Sequence, residues 1–390
     1  MSHTRPNVLV IGGGVIGTSI AYHLTRRNVR VTLLEQGELA SGSSGACDGL
    51  VFLQSKKPGV HLQLAMESRK RFEQLIKDLP IPIEFKSTGG MVVIENEAEF
   101  DAMRLFVQEQ RKIGLDVSLL DAQQTRKREP QLANHIVGAT HSLLDGQVHP
   151  IALAHAFALG AKKLKAKILT GTRVEGIEIS GNRVVSADTS KGRFYADIIV
   201  NAAGVSAPEI GKMIGLQIPI KPRRGQIIVT EACHPMLKHC LISAKYIASK
   251  YNPDLAEGSS EGISIEQTKD GNLLLGSTRE FVGFDKRTTV EGLNEIIIQT
   301  SKIIPLLRNL KMIRAFAGLR PYTPDGLPIL GPVEKIQGFI MAAGHEGDGI
   351  ALSPITGELI AQLIVDNRSD IPLDDFRLNR FRREKLGRQE

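Results

Sequence analysis

Apolar and small positions alternate through the first 35 residues in a way that restricts the fold. Val8-Leu9-Val10-Ile11 is an unbroken apolar run of strand length. Glycines at 12, 13, 14 and 17 interrupt it, and a second apolar run, Val31-Thr32-Leu33-Leu34, follows one helix length later. The order strand, glycine turn, helix, strand predicts a parallel βαβ unit. Further on, Leu62, Ala65, Met66, Phe72, Leu75 and Ile76 recur at helical spacing and predict an amphipathic helix over 61–79. Residues 89–94 read as a strand, 97–113 as a charged helix, and 151–166 as a second long helix after a crossing segment at 143–150. Short strands follow at 172–179, 183–189 and 198–201. From 219 to about 318 the pattern becomes strands with turn signals, at 225–229, 262–265 and 271–276, which predicts an antiparallel sheet. A helix over 290–304 closes that stretch. Glycine-bounded strands and an apolar helix over 351–365 complete the pattern.

The first turn carries chemistry. Gly12, Gly14 and Gly17 form G-x-G-x-x-G, and Glu35 stands 18 residues after Gly17 at the end of the second strand. The first glycine permits the tight turn, the second lets backbone approach a pyrophosphate, and the third lets helix and strand pack closely. Phosphates then meet free N–H groups at the helix N-terminus, and the acid falls where a ribose is bound. A dinucleotide is expected. Asn201-Ala202-Ala203-Gly204 ends a later strand in another glycine turn, where α/β sheets place ligands. The fold class is therefore α/β: a Rossmann-like nucleotide domain (1–84, 146–217 and 319–370), interrupted twice by an α+β substrate domain with an antiparallel sheet (85–145 and 218–318). A basic tail is expected over 371–390.

Bulk composition narrows the class. A chain of 390 residues with 42% hydrophobic and 23% charged residues reads as globular. No apolar run approaches a membrane span, and no signal peptide is read at the start. Three cysteines, Cys47, Cys233 and Cys240, are too few and scattered for a disulfide framework or metal site, so a reducing, cytoplasmic setting and no metal are expected. The net charge of +7 invites a nucleic-acid reading. However, aromatic residues do not interleave with the basic ones as a stacking platform requires. The basic run Arg377, Arg380, Arg382, Arg383, Lys385, Arg388 reads instead as a solvated tail or a protein-docking surface.

The first turn alone does not separate NAD from FAD. Gly344-His345-Glu346-Gly347-Asp348-Gly349-Ile350 opens a second helix far along the chain. Its N–H groups and positive dipole end suit the negative edge of a reduced flavin; the plainer alternative is a surface turn.

Together these pieces resemble the flavin amine-oxidase family of D-amino acid oxidase, glycine oxidase and monomeric sarcosine oxidase. The carrying residues are Gly12–Gly17 with Glu35, Ser41–Gly45, Asn201–Gly204, Arg224-Gly225-Gln226, Gly318-Leu319-Arg320-Pro321 with Thr323-Pro324-Asp325, and Gly344–Ile350. Ala46–Gly49, Gln54–Gly59 and Gly276–Glu280 are similar to β subunits of opine oxidases, D-hydroxyproline dehydrogenase and cyanide-forming glycine dehydrogenase, the flavin-bearing subunits of hetero-oligomers. The resemblance implies non-covalent FAD held by Gly12, Gly14, Val15, Ile16, Gly17, Glu35, Gln36, Ser43, Ser44, Val174, Ala203, Gly204, Gly344, Glu346, Gly347, Asp348, Gly349 and Ile350.

It also implies oxidation of a small or secondary amino acid (glycine, sarcosine, proline or opine type) by hydride transfer from Cα to flavin N5, giving an imine that hydrolyses. Arg320 would grip the substrate carboxylate, with a structural ion pair as the plainer alternative. Tyr322 would stand beside it as a hydroxyl donor or else be a core residue. Tyr246 and Tyr251 are weaker substrate candidates and Gln267 weaker still. Three departures matter. The place of the flavin-tethering cysteine of sarcosine oxidases falls near Gly318, an arginine of theirs falls near Asp48, and a lysine of theirs is replaced by Ala351. Asp48 would face a substrate amine or cationic tail. The loss of positive charge at 351 favours a dehydrogenase. Neither His345 nor Asp348 is given a proton-transfer role. The tail and Lys56-Lys57 are the candidate docking surface for partner subunits. A homo-oligomeric, peroxide-forming oxidase, a flavin-dependent tRNA-modifying protein and a non-catalytic flavoprotein subunit remain alternatives.

Overall fold

Alternate residues of the first strand, Asn7–Ile11, enter two different cores. Val8 and Val10 pack with the helices Val15–Arg26, Pro150–Lys163 and Gly349–Asp366, whereas Leu9 and Ile11 pack on the opposite face. This two-residue alternation, with both faces apolar, is why the strand reads as an unbroken run. A computed structural model of the chain describes residues 5–251 and 262–381, with the side chains of 248–251 outside that description. Its six-stranded sheet has the order Ile329–Pro332, Phe339–Ala343, Ile198–Asn201, Asn7–Ile11, Arg30–Leu34, Lys167–Leu169. All neighbours are parallel except the first pair. A three-stranded antiparallel sheet, Val174–Ser180, Arg183–Thr189 and Gly192–Tyr195, covers the Leu9 face.

The second sheet has eight strands in the order Met312–Tyr322, Lys221–Thr230, Leu273–Gly276, Ser264–Gln267, Cys240–Ser243, Gly90–Ile94, Gly138–Ser142, Ser118–Asp121. It is antiparallel as expected, except where Cys240–Ser243 runs parallel to Gly90–Ile94. Helices Glu97–Lys112 and Val290–Ile303 start at side-chain caps. Asn96 Oδ1 accepts from Glu99 N at 2.9 Å and Thr289 Oγ1 from Gly292 N at 3.2 Å, each satisfying a donor that a helix start leaves open.

Several boundaries move. The helix expected at 61–79 is Val60–Asp78, and the strand at 262–265 is Ser264–Gln267. The helix expected to begin at 351 begins at Gly349. It tolerates Pro354 because Ser353 Oγ donates to the Ile350 carbonyl, 3.0 Å, which the proline cannot reach. That helix is the one among the described residues long and apolar enough to cross a membrane, and it lies largely buried among the others. The expected tail is corrected in its first part. Leu373 and Phe376 are buried, and Arg380 grips Asp325 at 2.6 Å and the Leu327 carbonyl at 2.9 Å. Arg382, Arg383, Lys385 and Arg388 lie outside the described residues.

Helix Val15–Arg26 leaves the sheet so closely that a Cβ on Gly17 would overlap the Gly12 carbonyl. Gly17→Ala is therefore expected to destabilise the fold by about 3 kcal/mol, the upper range for overpacking. Thermal unfolding of the two proteins checks this; an unchanged midpoint would show that the turn relaxes freely.

Candidate active site

Gly12 adopts φ +112°, donates its N–H to Leu34 O at 2.8 Å, and would bring a Cβ to 2.5 Å from the Ala202 carbonyl. Only glycine fits there. Gly14 leads into helix Val15–Arg26, whose first N–H is taken by Ser44 Oγ at 3.0 Å. Glu35 clamps the turn from the other side: Oε2 accepts from Gly13 N at 2.6 Å and Oε1 from Gly37 N at 2.7 Å. Far along the chain, Gly344 (φ +80°) turns the backbone toward the N-terminus of helix Gly349–Asp366. The two helix starts open on one cavity of about 730 Å³. Of the residues expected to hold cofactor, Gly12, Gly14, Val15, Ile16, Glu35, Gln36, Ser43, Ser44, Val174, Ala203 and Gly204 line this cavity. Gly344, Glu346, Gly347, Gly349 and Ile350 line it as well.

Two expected residues do not. Gly17 lies beneath the turn. The Asp348 side chain points into the protein, to Lys56 Nζ at 2.8 Å and His61 Nε2 at 3.1 Å. Lys56 is thus buried, not a docking surface: its ammonium also donates to Phe52 O at 2.6 Å and Ser55 Oγ at 2.8 Å. An ammonium leaves water only when its charge and protons are answered this fully. His345 is held neutral, its pKa pulled down to about 3 by burial, and shares a hydrogen bond with Thr356 Oγ1 at 3.1 Å.

The other end of the cavity is built on the strand pair Lys221–Thr230 and Met312–Tyr322, where Arg223 stands opposite Arg320 and Gly225 opposite Gly318. Arg320 lies flat across Gly225, in space that a Cβ there would occupy. Its guanidinium donates to Thr278 O at 3.1 Å and Ser277 Oγ at 2.5 Å. No carboxylate among the described residues pairs with it, although its neighbours are paired: Arg223 with Glu346, and Arg224 with Glu280 at 2.7 Å. The structural ion pair left open as an alternative for Arg320 is therefore not formed among the described residues.

Tyr246 lines the cavity beside Arg320, with its hydroxyl close to Gly347 and its ring 4.0 Å from the Arg279 guanidinium carbon. Asp48 lines it too. Tyr322 does not; its ring receives Arg223 at 4.8 Å and Phe281 at 5.1 Å, so it props the arginine rather than offering a hydroxyl to the cavity. Tyr251 ends helix Ala244–Tyr251, and its side chain lies outside the described residues. Gln267 faces elsewhere, its Oε1 accepting from Met236 N at 2.8 Å. Gly318 presses against the Ala46 carbonyl, leaving no room for the Cβ of a tethering cysteine.

Sequence reasoning missed Arg223, Arg279, the Ser277-Thr278 seat of Arg320, and Glu266, which lies behind Asp48. No local pattern marked the first: Arg223 stands among Lys221, Arg224 and Gln226 in a strand whose opening half reads as polar.

A family model described as DAO, FAD dependent oxidoreductase, matches residues 7–363. The hydrogen cyanide synthase subunit HcnC of Pseudomonas aeruginosa is 30% identical to this chain, over 97% of each. Among solved structures, glycine oxidase from Geobacillus kaustophilus superposes with a TM-score of 0.87 at 30% identity, covering 97% of this chain and 99% of that one. L-proline dehydrogenase from P. horikoshii does so with 0.89 at 28% identity, covering 97% and 98%.

Glu35→Ala removes the acceptor for two backbone N–H groups at the turn and the carboxylate that a ribose would meet. FAD affinity is expected to fall by about 1.5–3 kcal/mol, the scale of a charge-assisted hydrogen bond. Equilibrium titration of the apoprotein with FAD reads this directly, and an unchanged dissociation constant would separate Glu35 from the cofactor.

Proposed function

The chain belongs to the DAO family of FAD-dependent oxidoreductases, and on that premise we propose that it oxidises the Cα–N bond of a small or secondary amino acid. The observation that carries this reading is Arg320: a guanidinium facing the cavity, seated on neutral acceptors and without a carboxylate partner among the described residues. A planar fork in that state suits a substrate carboxylate, which it can hold with two parallel hydrogen bonds.

The residues fit the cofactor. Two helix N-termini open on one cavity. At Gly14 an added Cβ would meet only Ser44 Oγ, at 3.2 Å, and would otherwise stand in that space. Gly12, Gly14 and the N-terminus of helix Val15–Arg26 would hold the pyrophosphate, and Gly347–Ile350 the flavin's polar edge. FAD, when bound, takes up the hydrogen and electron pair leaving the substrate's Cα.

The chain's contribution is orientation. Arg320 fixes the carboxylate end, and Gly225 lets the guanidinium lie low enough to do so. Tyr246 narrows the cavity around the bound molecule. Neutral His345, bonded to Thr356, braces the turn and carries no proton in the reaction. The amino acids named by the relatives, glycine and proline, fall within the proposed class.

The protein further acts as the flavin subunit of a hetero-oligomer that passes electrons to a partner rather than chiefly to oxygen. The Pseudomonas aeruginosa relative, itself a subunit by name, supports this reading, as does Ala351 beside the flavin turn. With Lys56 buried, the docking surface shifts to the outer side of helix Val290–Ile303 and the start of strand Met312–Tyr322. There Val290, Ile298 and Ile313 are 70%, 64% and 61% exposed.

Arg320→Ala should keep FAD and lose amino-acid turnover, with the apparent substrate constant rising steeply. Arg320→Lys should restore only part, since an ammonium lacks the paired donors; equal activity in all three proteins removes Arg320 from the substrate site. For the electron acceptor, substrate-reduced protein mixed with air-saturated buffer should reoxidise slowly while reducing a dye rapidly. Reoxidation at the turnover rate with stoichiometric peroxide would make it an oxidase.

A further inference from the structure

The cavity wall near Arg320 is acidic. Asp48 lines the cavity, and its Oδ2 accepts a hydrogen bond from Ser264 Oγ at 3.0 Å. Two residues along the same strand, on the same face, Glu266 is 94% buried, and both its oxygens accept from the N–H of Gly49, at 3.0 and 3.1 Å. The two carboxylates are thereby bracketed together: consecutive residues 48 and 49 meet alternate residues 264 and 266. Neither has a lysine or arginine partner among the described residues. A buried acid without a cation is costly, and two adjacent carboxylates resist ionising together.

Their surroundings do not neutralise them. Cys47, Cys240, Asp145 and Arg279 are titratable or charged groups nearby, and burial together with these two acids raises both thiols well above their ordinary value. Across the cavity stand Tyr246, Glu346 and Arg320, and Arg320 is needed for a carboxylate. The cavity thus offers one cation without a carboxylate partner among the described residues, Arg320, and one such carboxylate without a cation, Asp48, with Glu266 buried behind it. That is the charge complement of a zwitterion.

Resting on the amino-acid reading above, we propose that Asp48 and Glu266 form the site that recognises the substrate's cationic nitrogen and takes its proton. In the step, one N–H bond of the ammonium breaks and an O–H bond forms on Asp48. The nitrogen keeps the electron pair, and no electron leaves the substrate. The neutral amine is the form able to release the Cα hydrogen with its electrons. Asp48 returns the proton to solvent through the cavity mouth. Glu266, behind it, adds negative charge to the site as the pH rises: burial and Asp48 push its pKa up to about 8, so it ionises above neutrality.

The test uses two isosteric probes on the FAD-loaded protein, read by perturbation of the flavin spectrum. Dimethylsulfonioacetate has a fixed cation and a carboxylate; 3-methylbutanoate has only the carboxylate. Wild type should prefer the cationic probe by about tenfold or more near pH 7, the scale of a close charge pair, and more strongly near pH 9. Asp48→Asn should lose the preference. Glu266→Gln should retain it near pH 7 without the rise near pH 9, which keeps the test decisive if the Asp48 variant does not fold. Equal preference in wild type and Asp48→Asn, or an unchanged pH 9 rise in Glu266→Gln, overturns the proposal while leaving the amino-acid site standing. Failure of both probes to perturb the flavin in any of the proteins overturns that site as well.

Discussion

The buried ion pair between Arg223 and Glu346 is the contact on which the site's dimensions depend. Arg223 belongs to the long strand pair of the eight-stranded sheet, and Glu346 to the turn that starts the C-terminal helix over the six-stranded sheet. Both side chains are removed from water, and each answers the other's charge. Taking either away would strand a buried charge, at about 3–5 kcal/mol. The turn is further tied down by Glu346 N donating to Pro321 O at 3.1 Å. Because Arg320 stands opposite Arg223, the same contact sets how far Arg320 lies from the start of helix Gly349–Asp366.

Charge is distributed around this contact with a clear division. Arg223 and Arg224 are each answered by a carboxylate of the protein, and Tyr322 and Phe281 close over Arg223. Arg320 alone of the three is given neutral seats, a carbonyl and a hydroxyl, which fix its direction without satisfying its charge. Beneath the turn Gly344–Gly349 the arrangement is reversed: Lys56 and His61 are both turned to Asp348, so the buried charge there is spent inside the protein. The charges beneath the turn are answered inside the protein, whereas Arg320 faces the cavity with neutral partners only.

What could be seen in the sequence follows from range. The first βαβ unit was legible because each glycine's reason, a turn, a close approach or a packing contact, lies within about 35 residues and leaves an apolar strand on either side. The edge strand Met312–Tyr322 was not, since it begins with exposed Met312, Ile313 and Arg314 and contains Gly318 and Pro321, which read as turn residues. Lys56 was misread as surface because its partner Asp348 is almost 300 residues away, and no local pattern announces that meeting. Glu266 alternates with apolar neighbours as any solvent-facing strand acid does; here that side of the strand is covered by Asp48 and Gly49. Tyr322 shares a strand face with Arg320 but is claimed by Arg223, a choice that only the cross-strand register decides.

The order of strands in the parallel sheet has a consequence for the making of the protein. The strand Asn7–Ile11 lies at the centre, between Arg30–Leu34, which leaves the ribosome soon after it, and Ile198–Asn201, whose outer neighbour is Phe339–Ala343. At translation rates of about 5–20 residues per second, the chain between the first strand and the last takes roughly 17 to 66 s to appear. Through that interval the glycine turn exists with an incomplete sheet and without the second helix start that faces it. The second helix start facing the glycine turn is therefore completed late in synthesis, and the apolar strands made first depend on being shielded until strand Phe339–Ala343 and helix Gly349–Asp366 arrive.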